Sequence, residues 1–202
     1  MYFDVKTPER IVRVGVFFKF VEKNDVKTNK TFFAKLCEKC KNYNLKYSCP
    51  PKSPSFESLC KHRGLVIVLF KCCLSNIDST EFNKVRIANS VMKSRIEKLM
   101  KHLEGVFNSK YFGSGSCRLC KKCSLQENLP CRHPGLMHFS LEATGVDCNY
   151  LSSLLFNIPL LWYKDNKAPE YTCTISGLPC KLEDAEIVEK EIAAFIQNLN
   201  SC

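Results

Sequence analysis

The sequence predicts an α/β protein: a single compact domain over residues 1–202, with a small mixed sheet flanked by helices and two cysteine-rich loops. Three observations predict it. Segments rich in β-branched and aromatic residues alternate with segments of helical period. Leu65-Val66-Ile67-Val68-Leu69-Phe70 is continuously apolar, the pattern of a strand buried on both faces. The cysteines gather at 37–51 and 113–134, between the predicted elements.

Along the chain, residues 10–20 (Arg10 to Phe20) are β-branched and aromatic and predict a strand. Glu22 to Lys30 is polar and predicts a turn. Pro50, Pro51 and Pro54 forbid helix after the first cysteines. Ser55 is a suitable cap for a short helix over 56–62, which Gly64 ends before the strand at 65–70. Residues 81–107 carry Val85, Ala88, Met92, Ile96, Leu99, Leu103 and Val106 at spacings of three and four, one face of a long helix. A brief strand at Tyr111-Phe112 precedes the turn Gly113-Ser114-Gly115. Ser140 caps a short helix that Gly145 terminates, and Asp147 caps the next, through Leu155. Strands are expected at 159–163 and 171–176, and a closing helix at 183–199.

Composition narrows the class. Hydrophobic residues are 45% of the chain and charged residues 25%, which supports a buried core and argues against disorder. No apolar run reaches the roughly 18 residues of a membrane span. Met1 to Lys6 lacks the basic-then-apolar pattern of an export signal, so a cytoplasmic protein is expected. Fourteen cysteines in such a chain point to metal or redox chemistry in preference to a disulfide framework, which is the solution of short secreted chains.

The formal charge of +10 invites a nucleic-acid reading, which the distribution does not favour. Lysines are scattered, and the densest stretches surround the cysteines: Lys35, Lys39, Lys41 and Lys46, then Arg118, Lys121, Lys122 and Arg132. Thiolate-bound clusters are anionic, and nearby cations favour the ligating thiolate. Charge compensation is the plainer account of these residues; docking of an acidic electron donor is the functional one.

The second motif is the stronger signal. Cys117, Cys120 and Cys123 fall at successive spacings of three, followed by Cys131 and Pro134, giving C-x2-C-x2-C-x7-C-x2-P. One tight loop of this kind wraps three corners of a cubane and a distant cysteine closes it, as in ferredoxin-type runs. Zinc ribbons bring cysteines in pairs from two knuckles, so [4Fe–4S] is the first reading here and zinc the alternative. His133 is expected beside the site, not as a ligand. His62, His102 and His138 are isolated and receive no role.

The first motif is Cys37, Cys40 and Cys49 with Pro50 and Pro51, C-x2-C-x8-C-P-P. Three thiolates can hold a [4Fe–4S] cluster and leave one iron without a protein ligand, open to a substrate. Zinc and a metal-free structural or redox role are the alternatives, and Cys60, Cys148, Cys173 and Cys180 are candidates for a fourth ligand. Adjacent Cys72 and Cys73 point to opposite faces of a strand and are read as structural thiols, and Cys202 as an exposed terminal one.

These segments together resemble the family of predicted metal-binding proteins catalogued as domain of unknown function 2284. The residues that carry the resemblance are Cys37, Cys40, Tyr43, Cys49, Pro50 and Pro51; then Gly115, Ser116, Cys117, Cys120, Cys123, Cys131, Arg132 and Pro134; then Ser140, Leu141, Glu142, Ala143, Gly145, Val146 and Asp147. It covers roughly 32–178 and implies a cytosolic cysteine-cluster protein without supplying a reaction.

The function expected is therefore a metal-binding protein with one or two [4Fe–4S] clusters and an electron-transfer or sulfur-handling role. Its partner would be a redox protein or a sulfur-containing small molecule, with no membrane involved. A zinc-stabilised, non-enzymatic binding module (for RNA, given the charge) and a cluster carrier are the alternatives. No Ser-His-Asp order, phosphate-binding glycine loop or H-E-x-x-H helix is present, and no catalytic residue is assigned.

Overall fold

In the computed structural model, which describes residues 1–200, four strands form one sheet in the order β1-β2-β3-β4: β1 (Tyr2–Lys6), β2 (Ile11–Glu22), β3 (Gly64–Cys73) and β4 (Tyr171–Cys180). Every pairing is antiparallel, where a mixed sheet was expected. The reason lies in the connections. Long excursions lead from β2 to β3 and from β3 to β4, but each returns the chain beside its predecessor in the opposite direction, so no right-handed parallel crossover forms.

β1 was not anticipated from the sequence. Thr7 closes a tight turn: its backbone N–H donates to Arg10 O (2.8 Å), and its hydroxyl accepts from the Arg10 N–H (3.2 Å). Asp4 then stands opposite Arg13 across the ladder, with a bidentate ion pair at 2.9 Å.

β3 is the centre of the molecule, and its continuous apolar run has the meaning expected. Val66, Val68, Phe70 and Cys72 face one side, with the stripe of α3 (Glu81–Phe107) and with α5 (Ala185–Asn200). The α3 residues in that core are Ala88, Met92, Ile96, Leu99, Met100 and Leu103. Leu65, Ile67 and Leu69 face the other side, against Phe56 of α2 (Phe56–Leu59), Leu151 of α4 (Cys148–Phe156) and Leu141. The helices α3 and α5 thus cover one face, and the cysteine-bearing connections crowd the other.

The capping expectations hold. Ser55 Oγ accepts from the Ser58 N–H, Ser140 Oγ from the Ala143 N–H and Asp147 Oδ1 from the Tyr150 N–H. Other expectations fail, among them the length of the helix expected over 56–62, which spans Phe56–Leu59. Residues 159–163 form no ladder, because Pro159 has no N–H and the Leu160 N–H donates to Asn149 Oδ1 (2.8 Å). The polar stretch read as a turn ends in α1 (Lys30–Cys37), nucleated where Asn29 Oδ1 accepts from the Phe32 N–H (2.9 Å). Cys202 lies outside the described residues. Among the described residues, no helix is long and apolar enough to cross a membrane.

Candidate metal centres

The first motif is built from the end of α1 and the loop that follows. Cys37 is the last residue of α1, and the Cys40 N–H donates to Cys37 O (2.8 Å), the tight turn that two-residue spacing allows. The loop doubles back so that the Asn44 N–H reaches Pro50 O (2.9 Å), which returns Cys49 toward the pair. The bed beneath is the segment from Ser140 to Asp147. The Asn29 N–H donates to Gly145 O (2.7 Å), Ser53 Oγ donates to Ala143 O (2.6 Å), and the Lys30 ammonium donates to that same carbonyl. Gly145 sits at φ +99°, and a Cβ there would stand 2.7 Å from Lys30 Cα, so only glycine lets α1 approach this closely.

Cys37, Cys40 and Cys49 line one chamber of about 460 Å³. Cys49 is buried, Cys37 half-buried and Cys40 exposed. Burial, then the neighbouring Cys40 and Cys49, then Glu142, raise the Cys37 thiol above its ordinary pKa, while Lys30 opposes them. Burial also raises Cys49; the Ser48 hydroxyl and Lys46 pull the other way, and Cys40 and Cys117 add to the rise. The three thiols therefore act on one another electrostatically, and bound cationic metal would reverse the penalty on ionising them.

The second motif closes on itself. Ser124 Oγ donates to Pro130 O (2.7 Å), the Leu129 N–H to Ser124 O (3.0 Å) and Arg132 Nη1 to Lys122 O (3.1 Å). Cys117, Cys120, Cys123 and Cys131, all half-buried, line a single gap of about 20 Å³ with His133 at its edge. Three of the four cations expected around it are paired with carboxylates: Arg118 with Glu97 (2.6 Å), and Lys122 (3.1 Å) and Arg132 (2.9 Å) with Glu127. Local compensation accounts for those three.

The two motifs are joined by the strip Leu45–Cys49. Lys46 Nζ donates to Cys117 O (2.8 Å), Tyr47 Oη to Leu129 O (2.9 Å) and Gln126 Nε2 to Leu45 O (3.4 Å). Ser48 stands at the junction: its Oγ accepts from the Cys117 N–H (2.9 Å) and lies 3.8 Å from Cys49 Sγ. Nothing in the spacing of either motif signalled this serine.

The suggested fourth ligands for the first motif separate clearly. Cys60 and Cys148 belong to the core on the α4 side of the sheet, and Cys180 to the core under α5. Cys173 borders the chamber from β4, but burial raises its thiol to about 12 and the charges that act on it are Lys71, Cys73 and Cys72, not the motif cysteines. Glu142 is the carboxylate that lines the chamber and acts on Cys37. Cys72 is buried and Cys73 exposed, as opposite strand faces require. All thirteen described cysteines are free thiols.

The donor set suits a thiophilic metal or an iron–sulfur cluster. Among the described residues, no three His, Cys, Asp or Glu side chains close on one point as a single-ion site requires. The thiols instead line two hollows, each shared with residues from other parts of the chain.

An antiparallel sheet with two thiol-lined hollows makes this a cysteine-rich α/β protein. Residues 19–177 match the family described as predicted metal-binding protein (DUF2284), and the chain belongs to that family. Comparison with curated proteins and with solved structures finds no match.

Proposed function

We propose that this metal-binding protein is an iron–sulfur redox protein. In this reading Cys117, Cys120, Cys123 and Cys131 hold a [4Fe–4S] cluster that relays electrons. Cys37, Cys40 and Cys49 would hold a second, and three thiolates would leave one iron without a protein ligand. Such a cluster supplies one-electron chemistry and, at its open iron, Lewis acidity. The observation that carries the reading is the Ser48 junction, which brings a backbone N–H of the second motif and a thiol of the first onto one hydroxyl. Two centres joined this closely are suited to passing electrons from a partner protein at the closed motif to a small, sulfur-containing molecule at the open one.

The chain's own contribution is positional. Ser48 and Lys46 favour the Cys49 thiolate, Lys30 favours that of Cys37, and the loop fastenings hold four thiols around one gap. Donors spread around a hollow fit a cluster of several irons better than one zinc ion, whose ligand sulfurs sit at about 2.3 Å from the metal. Iron, zinc and acid-labile sulfide per chain after anaerobic purification test this. About eight iron and eight sulfide are expected. Zinc without sulfide would sink the proposal.

A further inference from the structure

The chamber beside the first motif, about 460 Å³, also carries chemically specific groups from other parts of the chain. Lys93 lines it from α3, with Nζ 3.5 Å from where a Cβ of Gly115 would stand. Among the described residues no carboxylate pairs with Lys93, although Glu97, one turn on, is held by Arg118. Ser114 and Thr174 line the same chamber, and their hydroxyls are buried with no hydrogen-bond partner; Thr174 is 4% exposed. A buried hydroxyl without a partner is costly, and these two border one cavity. Asn89, one turn before Lys93, is oriented by Thr172, whose hydroxyl donates to its Oδ1 (3.0 Å), which leaves the Asn89 NH2 to donate elsewhere.

The chamber is polarised. Glu142 places negative charge beside Cys37 at one end, and Lys93 is not among the charges that act on Cys37 or Cys49. Leu160, Leu161 and Trp162 add apolar wall from the stretch that was expected to be a strand; Trp162 is 67% exposed. We propose that this chamber binds a small organic acid, its carboxylate on Lys93, Ser114, Thr174 and Asn89 and its carbon skeleton directed between the apolar walls toward Cys37, Cys40 and Cys49. This deepens the redox reading and rests on it for what the skeleton would meet. A carboxylate fits better than a phosphate ester, because one lysine with Glu142 in the same chamber offers a single positive charge where phosphate sites gather several donors or cations.

The test titrates phenylacetate, its neutral analogue phenylacetamide and inorganic phosphate into the anaerobically purified protein by calorimetry, with iron content measured on each sample. Phenylacetate is expected to bind about tenfold or more tightly than the amide, as a charge-assisted contact requires. Lys93→Met should weaken phenylacetate about tenfold and leave the amide unchanged. Lys93→Arg should stay within about threefold of the parent, and Thr174→Val should cost about threefold to tenfold. Equal binding of acid and amide, a Lys93→Met variant that binds phenylacetate as the parent does, or tighter binding of phosphate than of phenylacetate would each overturn the proposal. Phenylacetate binding that depends on Lys93 in protein without iron would keep the carboxylate pocket and remove the iron–sulfur reading instead.

Discussion

The two cysteine motifs use the same donor in different surroundings. Around Cys117, Cys120, Cys123 and Cys131 the loop fastens to itself and to Lys46, Tyr47 and Ser48 of the first motif, and together they enclose about 20 Å³. Around Cys37, Cys40 and Cys49 the loop fastens to a distant segment, and three thiols share about 460 Å³ with lysine, hydroxyl and aromatic side chains from four other parts of the chain. The second hollow is nearly filled by its own lining, and the first is left open to groups from other parts of the chain. Under the proposed reading, the four thiols of the small gap would hold the relay and the three at the wall of the chamber the centre that meets a substrate.

The sharpest way to break this contrast is to remove one thiol from each motif. Cys117→Ala should remove about four of the eight irons expected in the parent and leave the first centre. Cys37→Ala, with only two thiols remaining, should remove the other four. Iron and sulfide analysis reads both, and an unchanged iron count in Cys37→Ala would mean that the first motif holds no cluster.

Next in size is Gly145→Val. Its Cβ would meet the Lys30 backbone at 2.7 Å, at a φ of +99°. Strain and overpacking together should cost about 3–5 kcal/mol of stability in urea unfolding. Because Gly145 anchors α1 and not the second loop, iron of the first centre should be lost before that of the second. Simultaneous loss would show that the two loops do not differ in their support.

Ser48→Ala tests the junction. It leaves the Cys117 N–H without its acceptor, a loss of about 1–3 kcal/mol, and removes the hydroxyl beside Cys49 Sγ. Both centres should remain filled while electron exchange between them slows, which redox titration followed by rapid-mixing kinetics would detect. Unchanged exchange would assign Ser48 a purely structural part.

The smallest effect near neutral pH concerns the core thiols. Burial raises Cys72 and Cys180 to about 11 and Cys173 to about 12, from 9.0. Above pH 9 the unfolded chain releases these protons while the folded chain keeps them. The unfolded state then binds fewer protons, and stability falls as pH rises, through about pH 11–12. The urea midpoint should be flat from pH 7 to about 8.5 and decline beyond 9, with a shallower decline in Cys72→Ala. An identical slope in that variant would place the alkaline titration elsewhere.

Much of this architecture was legible in the sequence, wherever one local pattern admits one structure. The apolar run of β3, the stripe of α3 and the caps at Ser55, Ser140 and Asp147 need no distant partner to be read. The grouping of Cys117, Cys120, Cys123 and Cys131 is legible for the same reason, since its spacing is itself a loop geometry. β1 was not legible, because five residues acquire their meaning only beside β2. Nor was the loss of a strand at 159–163, where Asn149 takes the backbone donor a ladder would need.

The sequence by itself determined the α/β class, the family and the two cysteine groups, because periodicity, capping and ligand spacing act within a few residues of chain. Only the tertiary structure decided that the sheet is antiparallel, that Ser48 joins the motifs, and that Lys93, Ser114 and Thr174 share a chamber with Cys37. Those relations join residues far apart in the chain through the packing of α1, α3 and β4 around one sheet, and such pairings follow from the burial of the whole core, not from any local pattern.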